Sequence, residues 1–244
     1  MLRPQTRFGN LTLGRVPKVV GTVSQAGTLE KLAAGMERQC DIVELRLDLI
    51  GTGHWLDHAK AIEAQSLPVI ATLRLASEGG KWTRSDAERL PVFETALTHL
   101  TAVDIEFRSP LLEKVSAFAA SHQKALIISY HDFERTPPVA DLRQVNRKAA
   151  NYGTVVKIAT LTQTEADLAA LRELFSEQCS ASVCLLGMGA LGPTSRKLLP
   201  QLGSCLTYGY LDAPIAPGQV AAVELLRQLA GALTESSARI PAAQ

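Results

Sequence analysis

Short apolar runs alternate with longer amphipathic stretches along almost the whole chain. The short runs are rich in Val, Ile and Leu, which is typical of buried strands. They predict eight strands, at 18–23, 41–47, 68–74, 102–107, 124–130, 154–160, 182–188 and 204–210. The amphipathic stretches predict helices over 28–38, 54–65, 85–100, 109–122, 138–150, 164–178, 193–202 and 217–235.

Strict alternation of strand and helix indicates a parallel sheet with right-handed crossovers. Eight such units in about 230 residues fit the small end of the (β/α)8 barrel range. No linker or change of composition divides the chain, so we expect one barrel domain over residues 1–244. Residues 1–16 form an N-terminal extension whose turn at Asn10 indicates a short hairpin closing the barrel bottom, and we expect 236–244 to be a loose tail.

Composition narrows the class of protein. The formal net charge is +1 and the sequence has no basic run interleaved with aromatic residues, so we expect neither a nucleic-acid nor a membrane partner. No apolar stretch approaches the roughly 20 residues of a spanning helix. The first ten residues, MLRPQTRFGN, lack the long apolar segment of a secretory signal, so we expect none. The four cysteines form no CxxC pair, which fits a reducing compartment. These features favour a cytoplasmic protein.

Charges interrupt strands that should be apolar on both faces. They occupy every second position of the second and fourth strand regions: Glu44, Arg46 and Asp48, then Asp104, Glu106 and Arg108. A spacing of two places each set on one face of its strand. Because an unpaired buried charge costs several kcal/mol, these groups must pair with one another or face an opening. The C-terminal mouth of a barrel is such an opening, and active sites of this fold gather there.

Lys157 gives the sharpest chemical signal, because lysine is rarely found inside a buried strand. Burial and nearby cations favour the uncharged amine, which can attack a ketone and form a Schiff base. The alternative is a structural lysine paired with Glu106 or Asp104. His131 follows the fifth strand and suits proton transfer near neutral pH, with Glu78 available to orient it. An inert loop histidine remains the alternative there.

Two other sequence patterns resemble functional motifs but are weaker evidence of a site. Residues 187–192 spell GxGxxG, but one strand and one helix are too few to complete a dinucleotide-binding fold after it. The same position matches the anion site that barrels build after their seventh strand, where Arg196 suits a carboxylate. His54, Asp57 and His58 lie one turn apart with no third partner evident, so we interpret them as a solvated helix face and expect no metal.

With these residues identified, the chain resembles the type I 3-dehydroquinate dehydratases from about Pro17 to Leu233. The resemblance rests on six segments in order: DIVELRLD (41–48), LRLASEGG (73–80), SYHDF (129–133), VVKIA (155–159), TSR (194–196) and APGQ (216–219). It implies a (β/α)8 barrel without metal or cofactor that forms a homodimer. It also implies conversion of 3-dehydroquinate to 3-dehydroshikimate and water, a step of the shikimate pathway towards aromatic amino acids.

The resemblance assigns roles residue by residue. Lys157 forms an imine with the C3 ketone, while His131 removes a C2 proton and later protonates the leaving C1 hydroxyl, with Glu78 as its acidic partner. The implied substrate-binding residues are Thr22, Glu44, Arg46, Arg74, Met188, Arg196, Ile215 and Gln219. Arg196 and Gln219 bind the carboxylate in this assignment. Ile215 departs from the family, which usually has a serine there, and the lost hydroxyl donor is worth about 1 kcal/mol or more.

Two rival functions share much of this pattern. Another imine-forming barrel enzyme of the class I aldolase type would share Lys157 and the fold. The histidine of SYHDF and the glycine pair after Glu78 argue against it. A non-catalytic sensor of quinate or dehydroquinate would need neither Lys157 nor His131, so the presence of both argues against a binding protein.

Overall fold

The computed structural model of the chain describes residues 5–14, 16–176 and 179–238. A hairpin of two short strands, β1 (Thr6–Phe8) and β2 (Leu11–Leu13), comes first. The eight strands of the main sheet follow: β3 (Lys18–Val23), β4 (Ile42–Arg46), β5 (Val69–Thr72), β6 (Ala102–Glu106), β7 (Ala125–Asp132), β8 (Val155–Leu161), β9 (Ser182–Met188) and β10 (Leu206–Tyr210).

All seven ladders of the main sheet are parallel, in the order β10-β3-β4-β5-β6-β7-β8-β9. The first and last strands in this order lie side by side, and the Cys205 N–H donates to the Val183 carbonyl at 2.8 Å. The sheet is therefore nearly closed into a barrel, which confirms the predicted fold. Parallel ladders bring all eight carboxyl ends to the same mouth.

Helices surround this barrel in alternation with its strands. Their bounds are α1 (Ala26–Ala33), α2 (Leu47–Ile50), α3 (Trp55–Ala64), α4 (Asp86–His99), α5 (Leu112–Ser121), α6 (Val139–Ala149), α7 (Glu165–Glu173), α8 (Gly192–Leu202) and α9 (Ala222–Ala238). Capping boxes start two of them, Ser85 with Glu88 on α4 and Thr164 with Asp167 on α7. Each box satisfies backbone N–H groups that the first helical turn leaves unpaired.

The apolar core has two layers. Residues facing the helices, such as Val43, Val69 and Leu97, form the outer layer. The inner layer fills the barrel with inward-facing side chains of the strands, and Phe8 and Leu13 of the hairpin join it, both fully buried. The hairpin thus closes the barrel bottom, as predicted.

Two charged segments leave their strands earlier than the alternation predicted. The short helix α2 begins at Leu47, so Asp48 lies on a helix and not on β4. Strand β6 ends at Glu106, and Arg108 is exposed with its guanidinium 4.5 Å from the centre of the Tyr130 ring. In both cases the chain turns away at the mouth to begin its crossover, which a regular spacing of charges does not reveal.

The last helix starts later than predicted. Helix α9 begins at Ala222, whereas the sequence pattern placed its first turn at Pro217. The Pro217 carbonyl accepts a hydrogen bond from the Gly189 N–H, and Gly218 has a φ of 70°, which a right-handed helix excludes. Residues 236–238 are helical, and the rest of the expected loose tail, 239–244, lies outside the described residues. Within the described ranges, no helix is both long and apolar enough to cross a membrane.

Candidate active site

A cavity opens at the mouth of the barrel, where the strands end. It measures about 560 Å³ with the solvent at its opening included. All eleven residues predicted for the site line it: Thr22, Glu44, Arg46, Arg74, Glu78, His131, Lys157, Met188, Arg196, Ile215 and Gln219. They come from β3, β4, β7, β8 and β9, from α8, and from the loops after β5 and β10. The predicted set therefore meets at one place.

The amine of Lys157 is buried among carboxylates, with only 5% of the residue exposed. Its Nζ donates to Asp104 Oδ2 at 2.9 Å and lies 3.6 Å from Glu44 Oε1. The alternative of a paired lysine is thus realised with Asp104, while Glu106 pairs with arginines instead. Because Lys157 also lines the cavity, the ion pair and access to a ligand coexist.

Asp104 is held by several donors at once. Arg74 Nη2 and Ser129 Oγ both donate to its Oδ1 at 2.6 Å, and Lys157 occupies the other oxygen. Burial alone would raise the pKa of Asp104, but Arg74 and Lys157 hold that pKa well below its usual range. The group stays a carboxylate, so it anchors the lysine and does not act as a base.

A buried ionic network continues from this carboxylate towards the helices. Arg74 Nη1 lies 3.2 Å from Glu106 Oε1, and Arg89 of α4 donates to the other oxygen of Glu106 and to the Leu73 carbonyl. Three buried cations, Lys157, Arg74 and Arg89, oppose three buried carboxylates, Glu44, Asp104 and Glu106. The attraction between these paired charges offsets the desolvation penalty of burying them in the barrel.

Glu44 is fixed by neighbours on adjacent strands. Thr22 on β3 donates to its Oε2 and Thr72 on β5 to its Oε1, each at 3.0 Å. Two hydroxyl donors hold the carboxylate plane beside Lys157. Arg46, two residues further on, forms a bidentate pair with Asp48 at 2.9 and 2.8 Å, which fixes its guanidinium at the cavity wall.

His131 and Glu78 form a hydrogen-bonded pair. Glu78 Oε2 accepts the backbone N–H of His131 at 3.2 Å and lies 3.0 Å from Nδ1. Because that oxygen already acts as an acceptor, we assign the ring proton to Nδ1, which leaves Nε2 as the base. Burial, Arg74 and Lys157 lower the pKa of His131 well below 6.5, so the ring is neutral at pH 7.

The loop that carries Glu78 depends on two glycines. A short 3₁₀ turn, Ala76–Glu78, is followed by Gly79 with a φ of 77°. A Cβ on Gly79 would lie 2.4 Å from the Phe133 ring, and one on Gly80 would lie 2.0 Å from the Arg74 carbonyl oxygen. The sequence therefore needs GG directly after the glutamate to bring it against His131.

Replacing Glu78 with glutamine should remove the part of the pH dependence of the free energy of unfolding that comes from ionisation of Glu78. Burial raises the pKa of Glu78 from 4.5 to about 7. A group with a raised folded-state pKa contributes stability that is full below pH 4.5 and is lost as the pH rises towards 7. We expect the free energy of unfolding of the unsubstituted protein, relative to Glu78→Gln, to fall by about 2 to 3 kcal/mol across this window.

Urea denaturation at several pH values between 4.5 and 7.5 measures this difference. The matched control is Glu113→Gln, because Glu113 is exposed on α5. Its stability should follow that of the unsubstituted protein at every pH. Parallel curves for Glu78→Gln and the control would show that Glu78 ionises normally in the folded state.

Arg196 is a buried cation with no carboxylate among its hydrogen-bond partners in the described chain. Its Nε donates to the Tyr208 carbonyl at 3.1 Å, and its Nη1 donates to the carbonyls of Gly187 at 2.8 Å and Gly218 at 3.1 Å. Burial lowers the pKa of Arg196 from 12.5 to about 10. The described residues provide no acceptor for Nη2, and the residue lines the cavity, so the arrangement suits an anionic ligand.

The segment after β10 covers this arginine. Ile215 N–H donates to Gln219 Oε1 at 2.9 Å, which leaves the Nε2 of Gln219 to donate elsewhere. Ile215 presents an apolar side chain to the cavity, and Met188 lines the wall at the end of β9. At the other end of the segment, Asp212 accepts from Ser24 and from two backbone N–H groups.

Several lining residues were not predicted from the sequence. They are Gly79, Phe133, Ala159, Leu186, Tyr208 and Ala216. Phe133 follows His131 by two residues in SYHDF and stacks on its ring with centroids 6.2 Å apart, so the motif itself contained the signal. Within the described ranges, no three or more His, Cys, Asp or Glu residues gather as a metal site, and this includes His54, Asp57 and His58 at the start of α3.

Comparisons with known proteins show the family of this chain. The sequence profile of the family described as type I 3-dehydroquinase matches residues 19–234. The 3-dehydroquinate dehydratase of Methanocella arvoryzae is 34% identical over 215 residues, 87% of this chain and 95% of that protein. That of Aquifex aeolicus is 34% identical over 202 residues, 81% of this chain and 90% of that protein.

Solved structures of such enzymes share the fold of this chain. The crystal structure of the Aquifex aeolicus 3-dehydroquinate dehydratase has a TM-score of 0.76 at 30% identity, covering 86% of this chain and 96% of that one. The Geobacillus kaustophilus 3-dehydroquinate dehydratase shares the fold with a TM-score of 0.86 at 22% identity, covering 96% and 98%. By its matched profile and these relatives, this chain belongs to the type I 3-dehydroquinase family.

Proposed function

We propose that this protein is a 3-dehydroquinate dehydratase, a hydro-lyase that converts 3-dehydroquinate to 3-dehydroshikimate and water. The observation that carries the proposal is that Lys157, His131 and Arg196 line one cavity. These residues supply a nucleophile, a base and an anion site, which are the three groups that dehydration of a cyclic keto acid through an imine uses. Family membership supports the choice of substrate.

The first step in the proposed mechanism is imine formation at Lys157. Lys157, an ammonium in its ion pair with Asp104, first gives a proton to solvent at the cavity mouth. The uncharged Nζ then attacks the C3 carbonyl carbon, and the resulting carbinolamine takes up one proton and loses water to give an iminium cation. His131 is neutral at pH 7, so its Nε2 is available to take up and return protons during these steps. The iminium attracts electrons more strongly than the ketone did, which acidifies the C2 proton.

The second step is elimination. His131 Nε2 takes the C2 proton, and the electron pair left behind moves towards the iminium nitrogen to give an enamine. The enamine then expels the C1 hydroxyl, to which the same histidine returns its proton, so that water leaves. Hydrolysis of the product imine consumes the water released when the first imine formed and regenerates Lys157. The net reaction is the loss of one water.

In this proposal, the remaining residues of the cavity orient the substrate. Arg196 Nη2 and Gln219 Nε2 donate to the carboxylate, while Glu44, Arg46 and Arg74 face the ring hydroxyls. Thr22, Met188 and the apolar side chain of Ile215 complete the walls. Holding the ring at several points allows one histidine to serve both proton transfers, because the reacting atoms need not reposition.

Replacing Arg196 with lysine should weaken substrate binding more than it slows chemistry. Lysine keeps the charge but loses the planar fork that can bind carbonyls and a carboxylate together. We expect KM to rise by about 10- to 100-fold, on the scale of a charge-assisted hydrogen bond at a buried site, with kcat changed much less. Steady-state kinetics measure both values.

The matched control is Lys197→Ala, the next residue on α8, which does not line the cavity. Its KM should equal that of the unsubstituted enzyme. An unchanged KM in Arg196→Lys would remove Arg196 from the proposed carboxylate site.

An ultraviolet assay tests the proposed function directly. Dehydration creates a double bond conjugated with the ketone, so absorbance of an enone should appear when purified protein meets 3-dehydroquinate. Binding measured by calorimetry without any absorbance change would indicate the sensor instead. Loss of substrate with carbon–carbon cleavage products would indicate an aldolase.

We also propose the setting that the resemblance implies: a cytoplasmic homodimer of the shikimate pathway that uses no cofactor or metal and binds no nucleic acid. The near-neutral net charge supports the last point. Burial raises the pKa of the Cys40 and Cys184 thiols to about 12, so these two thiols are chemically inert, consistent with a reducing compartment. Sedimentation equilibrium should give twice the mass of one chain, and the mass of a single chain would exclude the dimer.

A further inference from the structure

Tyr208 on β10 lies directly against the amine of Lys157. The Nζ atom is 4.1 Å from the centroid of the tyrosine ring, in the geometry of a cation–π contact. Only 4% of the residue is exposed, and its ring packs with the inner layer of the barrel while also lining the cavity. Tyr208 has no role in the proposed mechanism above.

The other contacts of the amine suit an ammonium ion better than an iminium ion. An ammonium has three N–H donors to share between Asp104 and Glu44, at 2.9 and 3.6 Å. A protonated imine keeps one N–H, and part of its positive charge moves to the carbon that came from the ketone. The nitrogen therefore donates fewer hydrogen bonds to the carboxylates once the imine has formed. An aromatic face stabilises a cation without needing any N–H donor, so its contribution survives this change.

The ring and the hydroxyl of Tyr208 can be separated. The hydroxyl is buried, and the described residues offer it no hydrogen-bond partner. Burial raises the pKa of Tyr208 well above 10, so the hydroxyl is neither an acid nor a base near pH 7. Its link to the anion site runs through the backbone, because the Tyr208 carbonyl accepts from Arg196 Nε at 3.1 Å. A side-chain substitution leaves that bond in place.

We propose that the aromatic face of Tyr208 is a further catalytic group, which stabilises the iminium cation on Lys157 and holds Nζ towards the ketone. This inference rests on the proposed imine mechanism. It assigns the effect to the ring face and none of it to the hydroxyl. Removing the hydroxyl should be harmless, because a buried donor without a partner costs stability and does not add to it.

Two variants separate ring from hydroxyl. Tyr208→Phe keeps the aromatic face, and Tyr208→Leu removes it. We expect Tyr208→Phe to match the unsubstituted enzyme in kcat and in the fraction of protein trapped by borohydride in the presence of 3-dehydroshikimate. We expect Tyr208→Leu to lower kcat and the rate of trapping by about 5- to 30-fold, the range of a desolvated cation–π contact. Tyr208→Met, with an unbranched apolar side chain, replaces Tyr208→Leu if the latter does not fold.

A binding measurement distinguishes catalysis from a structural role. Calorimetry uses quinate, which has an alcohol where the substrate has its ketone and so cannot form an imine. Its dissociation constant should be the same in all variants, because the ring faces the same Lys157 amine with and without quinate, and quinate never forms the iminium. If Tyr208→Leu lost quinate affinity by the same factor as kcat, the role of Tyr208 would be structural and not catalytic.

Three other results would overturn the inference or its foundation. Trapping by Tyr208→Leu at the unsubstituted rate would show that the ring has no effect. Equal losses in Tyr208→Phe and Tyr208→Leu would transfer the effect to the hydroxyl. A complete absence of trapping in the unsubstituted enzyme would instead overturn the proposed function, and the inference about Tyr208 with it.

Discussion

Replacing Lys157 with methionine is expected to lower kcat by about 10⁵-fold or more, the scale of losing the nucleophile of a covalent mechanism. Methionine fills the buried space but cannot attack a ketone. Without the iminium, the C2 proton is no longer acidified, so it is too weak an acid for His131 to remove. Steady-state kinetics on 3-dehydroquinate, with absorbance of the enone as the signal, measure the loss.

The fold should survive this substitution. Asp104 keeps Arg74 and Ser129 as donors, so the buried carboxylate is not left without partners. The matched control is Lys124→Met, which removes a partly buried lysine that donates to the Leu100 carbonyl on the opposite end of the barrel strands. Its kcat should be unchanged. Retention of more than a small fraction of activity by Lys157→Met would exclude an obligatory imine.

Replacing His131 with alanine is expected to lower kcat by about 10²- to 10⁴-fold, the usual contribution of a general acid–base group. The amine of Lys157 remains in place, so the imine should still form. The variant should therefore accumulate covalent intermediate that it cannot process. Intact-protein mass spectrometry after borohydride treatment reports the accumulation, while kinetics report the loss of turnover.

His122→Ala is the control for this variant, because His122 is exposed at the end of α5 and stacks on Phe118, outside the cavity. Its activity should be unchanged. Near-normal turnover by His131→Ala would remove the proposed acid–base role. Loss of trapping together with turnover would assign the histidine to imine formation and not to elimination.

The fold and most of the cavity could be predicted because both depend on simple periodicities. Alternation of strand and helix specifies parallel strands, and parallel strands bring every carboxyl end to one mouth. Lys157 was conspicuous because a charge at the centre of an apolar strand needs a reason to be there. Glu44 and Asp104 were visible through their spacing of two, which places them inside the barrel.

Contacts between distant strands could not be predicted, because they depend on the register and twist of the closed sheet. The spacing of the charges could not show whether Lys157 pairs with Glu106 or with Asp104. The structure shows that its partner is Asp104. Nothing in the sequence distinguishes Arg89 from the other charges of α4, yet it is fully buried against Glu106. The ring of Tyr208 under the lysine joins β10 to β8 across the barrel.

Helix boundaries were the other weak point. The predicted start of the last helix at Pro217 is wrong because the backbone there bonds to Gly189, and the segment with Ile215 and Gln219 covers Arg196. Local rules favour proline in a first helical turn, but a tertiary hydrogen bond prevails here. The segment before Ala222 therefore lines the cavity and is not part of α9.

The most direct test of the account is to find which nitrogen carries the ligand. The protein is mixed with 3-dehydroshikimate and sodium borohydride, which reduces an iminium to a stable secondary amine, and is then digested and sequenced by mass spectrometry. We predict that activity is lost and that the ligand mass is found on the peptide containing Lys157. Ligand mass on a different lysine, or full activity with no added mass, would contradict the account.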